Sequence, residues 1–211
     1  MQQDAALPEE SGPPFEMFGI SGSYDSTPAQ YRNKGIDAAI TGRPEIILRQ
    51  NVYAYWDEKK AYDITSGLIN RYPNTKLVWC AGGAMTHGTL NAIKDSHKIP
   101  GKDILLGTFD WSSSTANHIE EGVIAASVGG HFMDGGWSLI LLYDYHHGID
   151  FKDYTGTTIL SPLTVMNPNN LSQYEILLNK NSWQDIDFIK FTKTHAGKEK
   201  IYNLSIDALL E

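Results

Sequence analysis

The segment Leu77–Asp110 constrains the fold of this chain more than any other part of the sequence. It begins with an apolar run, passes through the pair Gly82-Gly83 and a helix-forming stretch, and ends in a second apolar run that closes on Phe109-Asp110. Two short apolar runs separated by one helix predict parallel strands joined by a crossover helix. Because parallel strands end at one rim, where open α/β sheets bind small ligands, we expect Asp110 to face a ligand site.

The same alternation continues on both sides of this segment. Apolar strands are predicted at Phe15–Ile20, Glu45–Tyr53 and Val123–Val128, with helix-spaced apolar residues between them and in Met133–His146. Strands that alternate with helices of about a dozen residues are typical of an α/β fold. The sequence therefore predicts a doubly wound parallel sheet with right-handed crossovers.

Composition and charge argue against nucleic acids and membranes as binding partners of this chain. The chain has 211 residues, 41% hydrophobic, and a formal net charge of −8, which argues against a nucleic-acid surface. Short basic spots such as Lys59-Lys60 and Lys198–Lys200 are interpreted as solvated faces. No window reaches the roughly 18 apolar residues of a membrane span, so we expect no membrane insertion, and the amino end has no features of an export signal.

Three features that could carry chemistry have simpler interpretations. The single Cys80 lies in an apolar run and is expected to be a buried hydrophobe. The loop Gly19–Ser23 matches neither a phosphate loop nor a nucleophile elbow. His146 and His147, with Asp150 close behind, could suggest a metal site. The side chains of consecutive helix residues point roughly a hundred degrees apart, however, so a helix cap is favoured over a metal site. We expect neither a metal nor a cofactor.

Five segments, read in order, resemble the type 1 periplasmic sugar-binding proteins, the ribose- and galactose-binding group related to the effector domains of LacI-type repressors. They are GISGSYDSTPAQYRNKG, YAYWDEKKAYD, LVWCAGGAMTHGTLNAI, KIPGKDILLGTFDW and EEGVIAASVGGHF. The match covers roughly residues 15–165 and rests on order and spacing more than on any one motif.

The resemblance implies two α/β lobes joined by a hinge that clamp a ligand between them. It implies a flexible lead-in at 1–14, a ligand-binding lobe at 15–127, a hinge crossing with a remnant helix of the other lobe at 128–157, and a return crossing with a helical extension at 158–211. Most of the first lobe would be missing. The remnant helix would then pack elsewhere. The lone second lobe would expose the apolar edge that normally faces its partner, which predicts self-association.

The resemblance also implies the site residues. Arg32, in the pattern Arg-x-x-Gly, would present its fork of donors to the ligand, and Trp56 would stack on a sugar face. Asp110 would accept hydrogen bonds from ligand hydroxyls. Three further contacts are expected at the strand ends and the hinge: Gly82, Trp111 and His131. Gly82 and Gly83 stand where the family usually has an Asn-Asp pair. His131 follows Gly130, which stands where some relatives have Gln.

Each main contact has an alternative that the sequence leaves open. Arg32 has the alternative of a solvent-facing helical arginine, and Trp56 that of a core or hinge tryptophan. Asp110 is also placed to cap the following helix.

The implied function is non-catalytic binding of a small polar, carbohydrate-like solute by hinge closure, for an ABC importer or a membrane sensor in the periplasm. An enzyme on a doubly wound fold is the rival interpretation, but no catalytic motif is recognisable. An effector domain of a transcription regulator shares the fold, although neither a helix-turn-helix nor a basic face is visible.

Overall fold

A computed structural model of the chain describes residues 12, 14–197 and 201–211. Apart from residues 12 and 14, the predicted lead-in 1–14 lies outside the described residues, and so does the basic spot Lys198–Lys200. The described part is a six-stranded sheet flanked by helices, with a run of short helical turns toward the carboxyl end.

The strands are β1 (Phe15–Ser21), β2 (Ile46–Tyr53), β3 (Thr75–Cys80), β4 (Leu105–Phe109), β5 (Ala126–Gly129) and β6 (Thr164–Met166). The helices are α1 (Thr27–Ile40), α2 (Glu58–Arg71), α3 (Gly83–Asp95), α4 (Ser113–Glu120), α5 (Asp134–His146), α6 (Lys152–Thr155), α7 (Leu171–Tyr174) and α8 (Lys193–Ala196). Short 3₁₀ turns span His131–Met133, Glu175–Leu178, Lys180–Asp185, Phe188–Phe191 and Asp207–Leu210.

The sheet has the order β2-β1-β3-β4-β5-β6, and β1 to β5 are parallel. The predicted α/β fold class is therefore confirmed, with one departure from an all-parallel sheet: β6 is antiparallel to β5. Thr164, where β6 begins, pairs with Gly129, where β5 ends. The chain thus re-enters the sheet at the rim it left, without the crossover that a parallel strand needs.

Strand β1 lies between β2 and β3, so the chain leaves it in one direction and returns on its other side. In open sheets such a reversal of strand order opens a crevice beyond the carboxyl ends of the strands. Ser21, Cys80 and Phe109 end the adjacent strands β1, β3 and β4 and border this crevice. The topology therefore forms a crevice at the rim where the sequence predicted a ligand site.

The core lies between the sheet and its helices. Phe18, Ile20 and Leu106 are fully buried, and Cys80 is also fully buried, as its apolar surroundings predicted. Helices α2 and α3 pack closely on each other, because Gly88 of α3 lets the two backbones approach.

The strand predicted at Val123–Val128 begins later, at Ala126. The backbone N–H groups of Val123 and Ile124 both donate to the carbonyl of His118, which closes the end of α4. Those residues therefore belong to a turn, because their hydrogen bonds return to the helix and not to a neighbouring strand.

Helix α5 packs against the carboxyl-terminal segment. The Trp137 ring meets the Phe191 ring edge to face at 5.4 Å, and Asp144 of α5 binds the start of α8. The opposite face of α5 leaves Leu139 and Leu142 exposed. Within the described residues, no helix combines the length and apolar character needed to cross a bilayer.

Candidate ligand-binding site

Asp110 follows β4 and stands at the centre of the crevice. Its backbone has a positive φ of 74°, a conformation that aspartate tolerates better than most residues. Its Oδ2 accepts a hydrogen bond of 2.8 Å from the backbone N–H of Gly83, and His131 Nε2 lies 3.2 Å from Oδ1. The alternative role of capping α4 belongs to Ser112, whose hydroxyl accepts from the Thr115 N–H.

The surroundings of Asp110 keep it ionised. Partial burial opposes ionisation, but the hydrogen bonds from His131 and the Gly83 N–H, together with the Arg32 charge, outweigh it. The pKa of this carboxyl is therefore held below its ordinary value. At neutral pH the site contains a carboxylate that accepts hydrogen bonds.

Arg32 reaches the same carboxylate from α1. Its Nη1 donates to the carbonyl of Ala81 at 2.5 Å and lies 3.8 Å from Asp110 Oδ1. The side chain is only 15% exposed, so it lies in the crevice and does not face solvent. Burial lowers the pKa of Arg32, against the opposing effect of Asp110, but a guanidinium stays charged in proteins.

Two aromatic rings flank the Arg32 guanidinium. Its central carbon lies 4.3 Å from the centre of the Phe109 ring and 5.6 Å from that of Trp56. Such cation–π contacts hold a planar donor in one orientation. Phe109 has a role that the sequence reasoning missed, although its place just before Asp110 at a strand end was a usable signal.

Trp56 is held by two unusual backbone conformations and by two glycines. Tyr55 and Trp56 have consecutive positive φ values of 57° and 61°, which turn the chain sharply after β2. A Cβ on Gly22 would lie 2.1 Å from Trp56 Cζ2, and one on Gly82 would lie 3.3 Å from Trp56 Cε3. The ring therefore packs against both glycine backbones, so that it is part of the crevice wall as well as of the core.

Gly82 and Gly83 begin α3, and they act through their backbones. Gly82 occupies the N-cap position, where its carbonyl accepts from the Thr86 hydroxyl, and the Gly83 N–H donates to Asp110. Helix N-termini leave backbone N–H groups unpaired and favour negative charge. The Asp110 carboxylate accepts a hydrogen bond from one of these groups, the Gly83 N–H. No side-chain pattern in the sequence indicated this role for Gly83.

His131 and Trp111 differ in where they point. His131 lies against Asp110, and its Nδ1 is buried with no hydrogen-bond partner among the described residues. The Trp111 indole N–H donates to the Ser127 carbonyl, and its ring lies 4.9 Å from that of Tyr174. The structure thus gathers five of the predicted residues in the crevice and packs Trp111 toward the carboxyl-terminal segment. The five are Arg32, Trp56, Gly82, Asp110 and His131.

A second polar group, which the sequence reasoning did not single out, lies beside Arg32. Asn33 accepts through its Oδ1 from the Ser21 hydroxyl at 2.7 Å and from Asn51 Nδ2 at 3.1 Å. Its own Nδ2 donates to the Tyr53 hydroxyl at 3.3 Å. These hydrogen bonds connect α1 to the ends of β1 and β2. The one signal in the sequence was that Asn33 directly follows Arg32.

The remaining chemical candidates have other partners. The Ser21 hydroxyl donates to Asn33, and burial raises the pKa of the Cys80 thiol, which keeps it protonated. His147 binds the Tyr143 carbonyl of its own helix. Within the described ranges, no three His, Cys, Asp or Glu side chains are placed to hold a metal ion.

Comparison with known proteins identifies the family to which this crevice belongs. Residues 5–145 match the family model described as a periplasmic binding protein domain. The chain belongs to the periplasmic binding protein family. The resemblance to the type 1 periplasmic sugar-binding proteins is thus confirmed.

Three relatives illustrate the similarity. The chain is 29% identical over 130 residues to the D-allose-binding periplasmic protein of Escherichia coli (strain K12), and 27% identical over 128 residues to a galactofuranose-binding protein of the same organism. A crystal structure of a periplasmic sugar-binding protein from Pseudomonas fluorescens superposes with a TM-score of 0.86 at 28% identity.

The matches cover only part of each relative. They include 61% of this chain and 41% of the allose-binding protein, and 59% of this chain and 40% of the galactofuranose-binding protein. The Pseudomonas match includes 97% of this chain and 62% of that structure. The chain therefore spans less than two thirds of each of these relatives.

Proposed function

We propose that this periplasmic binding protein chain binds a small, neutral, sugar-like solute in the crevice beyond β1, β3 and β4, without chemical conversion. The observation that carries the proposal is the convergence of three donors on one carboxylate. Gly83 N–H, Arg32 and His131 all approach Asp110 from different segments. Such convergence of polar groups beside aromatic rings is typical of small-molecule sites.

The charges favour a neutral solute. The Arg32 charge is balanced by the ionised Asp110, so a charged ligand would leave one of the two unmatched. A hydroxylated ligand can donate to Asp110 and accept from Arg32, and thereby use both without adding charge. Trp56 supplies an apolar face for the C–H side of a sugar ring.

The same geometry disfavours an enzyme. A hydrolytic or transfer reaction needs a nucleophile with an adjacent base, or an acid that a raised pKa keeps protonated. Ser21 donates to an amide oxygen and Cys80 is a buried thiol, while Asp110 is held ionised by its donors. Every side chain in the crevice is thus suited to hydrogen bonding and stacking.

The mechanism we propose is closure about the strands that lead out of the sheet. On this proposal, residues 15–127 form the binding lobe, 128–157 leave it through a hinge, and 158–211 return through β6. His131 lies at the start of this crossing and contacts Asp110, so the binding of a ligand at Asp110 would be coupled to the conformation of the hinge. The similarity to a D-allose-binding periplasmic protein supports a periplasmic location. Chains of similar fold include the periplasmic component of an arabinose ABC transporter and the fructose-binding periplasmic domain of a two-component system, and we propose one of these two kinds of partner, an ABC importer or a membrane sensor.

Self-association stays a prediction. Leu139 and Leu142, exposed on α5, provide an apolar surface for it. Light scattering over a range of concentrations tests it, and a monomer at the highest concentration would contradict it.

Nuclear magnetic resonance titration tests the binding proposal, because it detects weak binding and reports residue by residue. D-Allose, D-galactose, L-arabinose and D-fructose are each added to the ¹⁵N-labelled chain. We expect the Gly83 amide resonance to move, because that N–H is bonded to Asp110.

Two results would contradict the proposal. One is the absence of any shift near Asp110 with all four sugars at millimolar concentration. The other is conversion of a sugar during the titration, which would favour the enzyme alternative.

A further inference from the structure

Three exposed tyrosines lie at the ends of β1 and β2, close in the chain to the crevice residues. Tyr24 follows β1, Tyr53 ends β2 and Tyr55 follows it, and their exposed fractions are 62%, 36% and 50%. We call these three residues the tyrosine rim. Aromatic side chains normally bury most of their surface, and a group of exposed ones at a strand rim calls for a binding role.

The rim is held in place from within the protein. The Tyr24 and Tyr53 rings meet edge to face with centres 6.4 Å apart. The Tyr53 hydroxyl accepts a hydrogen bond from Asn33 Nδ2, and Asn33 is fixed in turn by Ser21 and Asn51. Because the phenol oxygen accepts this bond, its own hydrogen remains available to a ligand acceptor.

Tyr55 is also fixed, and it connects the rim to the crevice. Its backbone N–H donates to the Gly22 carbonyl, its φ is 57°, and the Lys60 ammonium lies 4.6 Å from the ring centre. The next residue is Trp56, which flanks Arg32. Tyr55 thus directly precedes a crevice residue, and Asn33, which holds Tyr53, directly follows Arg32.

We propose that the tyrosine rim is a second sugar subsite, so that the ligand is a disaccharide or longer glycan with its second ring on Tyr24, Tyr53 and Tyr55. This inference rests on the proposed function, in which the first ring occupies the crevice at Asp110. Sugar rings present C–H faces and hydroxyl edges, and tyrosine offers an apolar ring and a polar tip to match. The Tyr53 hydroxyl, which is held by Asn33 and still has a hydrogen to donate, favours such a ligand over an apolar protein surface.

Paired titrations of the full chain test the subsite. D-Galactose is compared with lactose and melibiose, D-fructose with sucrose, and L-arabinose with arabinobiose. We expect at least one disaccharide to bind more tightly than its monosaccharide and to move the ring resonances of the rim. In Tyr24→Ala the advantage of the disaccharide should fall by about three- to tenfold, while monosaccharide affinity stays unchanged. In Tyr53→Ala, which also removes the partner of Asn33, the disaccharide should lose more affinity than the monosaccharide.

Two matched variants separate stacking from other effects. Tyr53→Phe keeps the ring and removes the hydroxyl, so it should retain part of the advantage. Tyr145→Ala removes a tyrosine of α5 that is 59% exposed and lies outside the rim, and it should change nothing. Amide spectra of each variant confirm that it is folded.

The possible failures are distinguishable. If monosaccharides and disaccharides bind equally, or if the rim variants weaken both to the same extent, the second subsite is wrong and the proposed function stands. If the variants leave every titration unchanged, the rim contacts something other than the solute, and the inference is wrong. If no sugar binds at all, the proposed function fails and this inference fails with it.

Discussion

Asp110 Oδ2 lies 2.8 Å from the backbone nitrogen of Gly83, so the residue that follows β4 is bonded to the first turn of α3. The two residues are 27 positions apart and belong to neighbouring strand-to-helix units. A ligand that binds the carboxylate therefore competes with, or shares, a bond that anchors a helix N-terminus. The consequences of this arrangement can be measured.

Replacement of Asp110 by asparagine should weaken binding of any sugar that the chain recognises by about tenfold or more, because hydrogen bonds to a charged acceptor are the strong ones. The substitution keeps the size of the side chain but removes its charge. It should also move the Gly83 amide resonance in the absence of ligand. Calorimetry and amide spectra measure the two effects.

Asp63→Asn is the matched control for that variant. Asp63 is an exposed residue of α2 whose carboxylate pairs with Lys59 four positions earlier, and surface pairs of this kind contribute little. Equal sugar affinity in Asp110→Asn and Asp63→Asn would contradict the role of Asp110.

Alanine at Gly88 should destabilise the protein by about 1–3 kcal/mol, the usual range for overpacking. A Cβ there would lie 2.0 Å from the carbonyl oxygen of Glu58, so α2 and α3 would have to separate. Gly67→Ala on α2 is the matched control, because no atom lies within 4 Å of its Cβ. It should stabilise by about 0.5–1 kcal/mol through helix propensity. Urea unfolding compares the two, and a Gly88→Ala protein as stable as the parent would refute the close approach.

Asp144→Asn should loosen the carboxyl-terminal segment and cost about 3 kcal/mol, as expected when one partner of a buried charged group is altered. Asp144 is fully buried and accepts from the Lys193 and Thr194 N–H groups, the Thr194 hydroxyl and the Tyr202 hydroxyl. An asparagine would turn a donor toward these donors. Hydrogen exchange at Lys193 and Thr194 reports the loosening, with the exposed Asp153→Asn as control.

The same carboxylate predicts a pH dependence. Burial opposes ionisation of Asp144, but its hydrogen bonds from Thr194, Lys193 and Tyr202 outweigh that effect and hold its pKa below the ordinary value. A lowered pKa in the folded state contributes stability at pH values above the ordinary pKa of about 4, and this stability is lost as the pH falls further. Thermal unfolding should therefore show a loss below about pH 4 that is smaller in Asp144→Asn. Equal acid sensitivity of the two proteins would contradict this assignment.

The strand and helix periods in the sequence were enough to predict the sheet class and most of its elements, because side-chain period is a local property. The prediction failed at Val123 and Ile124, where apolar side chains occupy a turn. There the hydrogen bonds from the Val123 and Ile124 N–H groups to the His118 carbonyl decided the structure. A hydropathy pattern cannot predict which backbone groups bond to each other.

The candidate site was predictable in part. Asp110 and Arg32 stood at recognisable positions, a strand end and a family-like Arg-x-x-Gly pattern. Phe109 and the Gly83 N–H were missed, because one resembles an ordinary strand residue and the other acts through an atom that every residue type except proline carries. Trp111 was expected beside the ligand, and its environment against Tyr174 depends on how the distant carboxyl-terminal segment folds back.

The sequence by itself determined the alternation of strands and helices, the burial of Cys80 and the rim at which β3 and β4 end, since each depends on neighbours within a few turns of the chain. Only the tertiary structure decided that β6 runs antiparallel and that Arg32 bonds to Ala81, 49 residues away. It also decided that Trp56 packs between Gly22 and Gly82. Contacts of this kind join segments with no shared local pattern, because the crossover connections of the sheet bring them together.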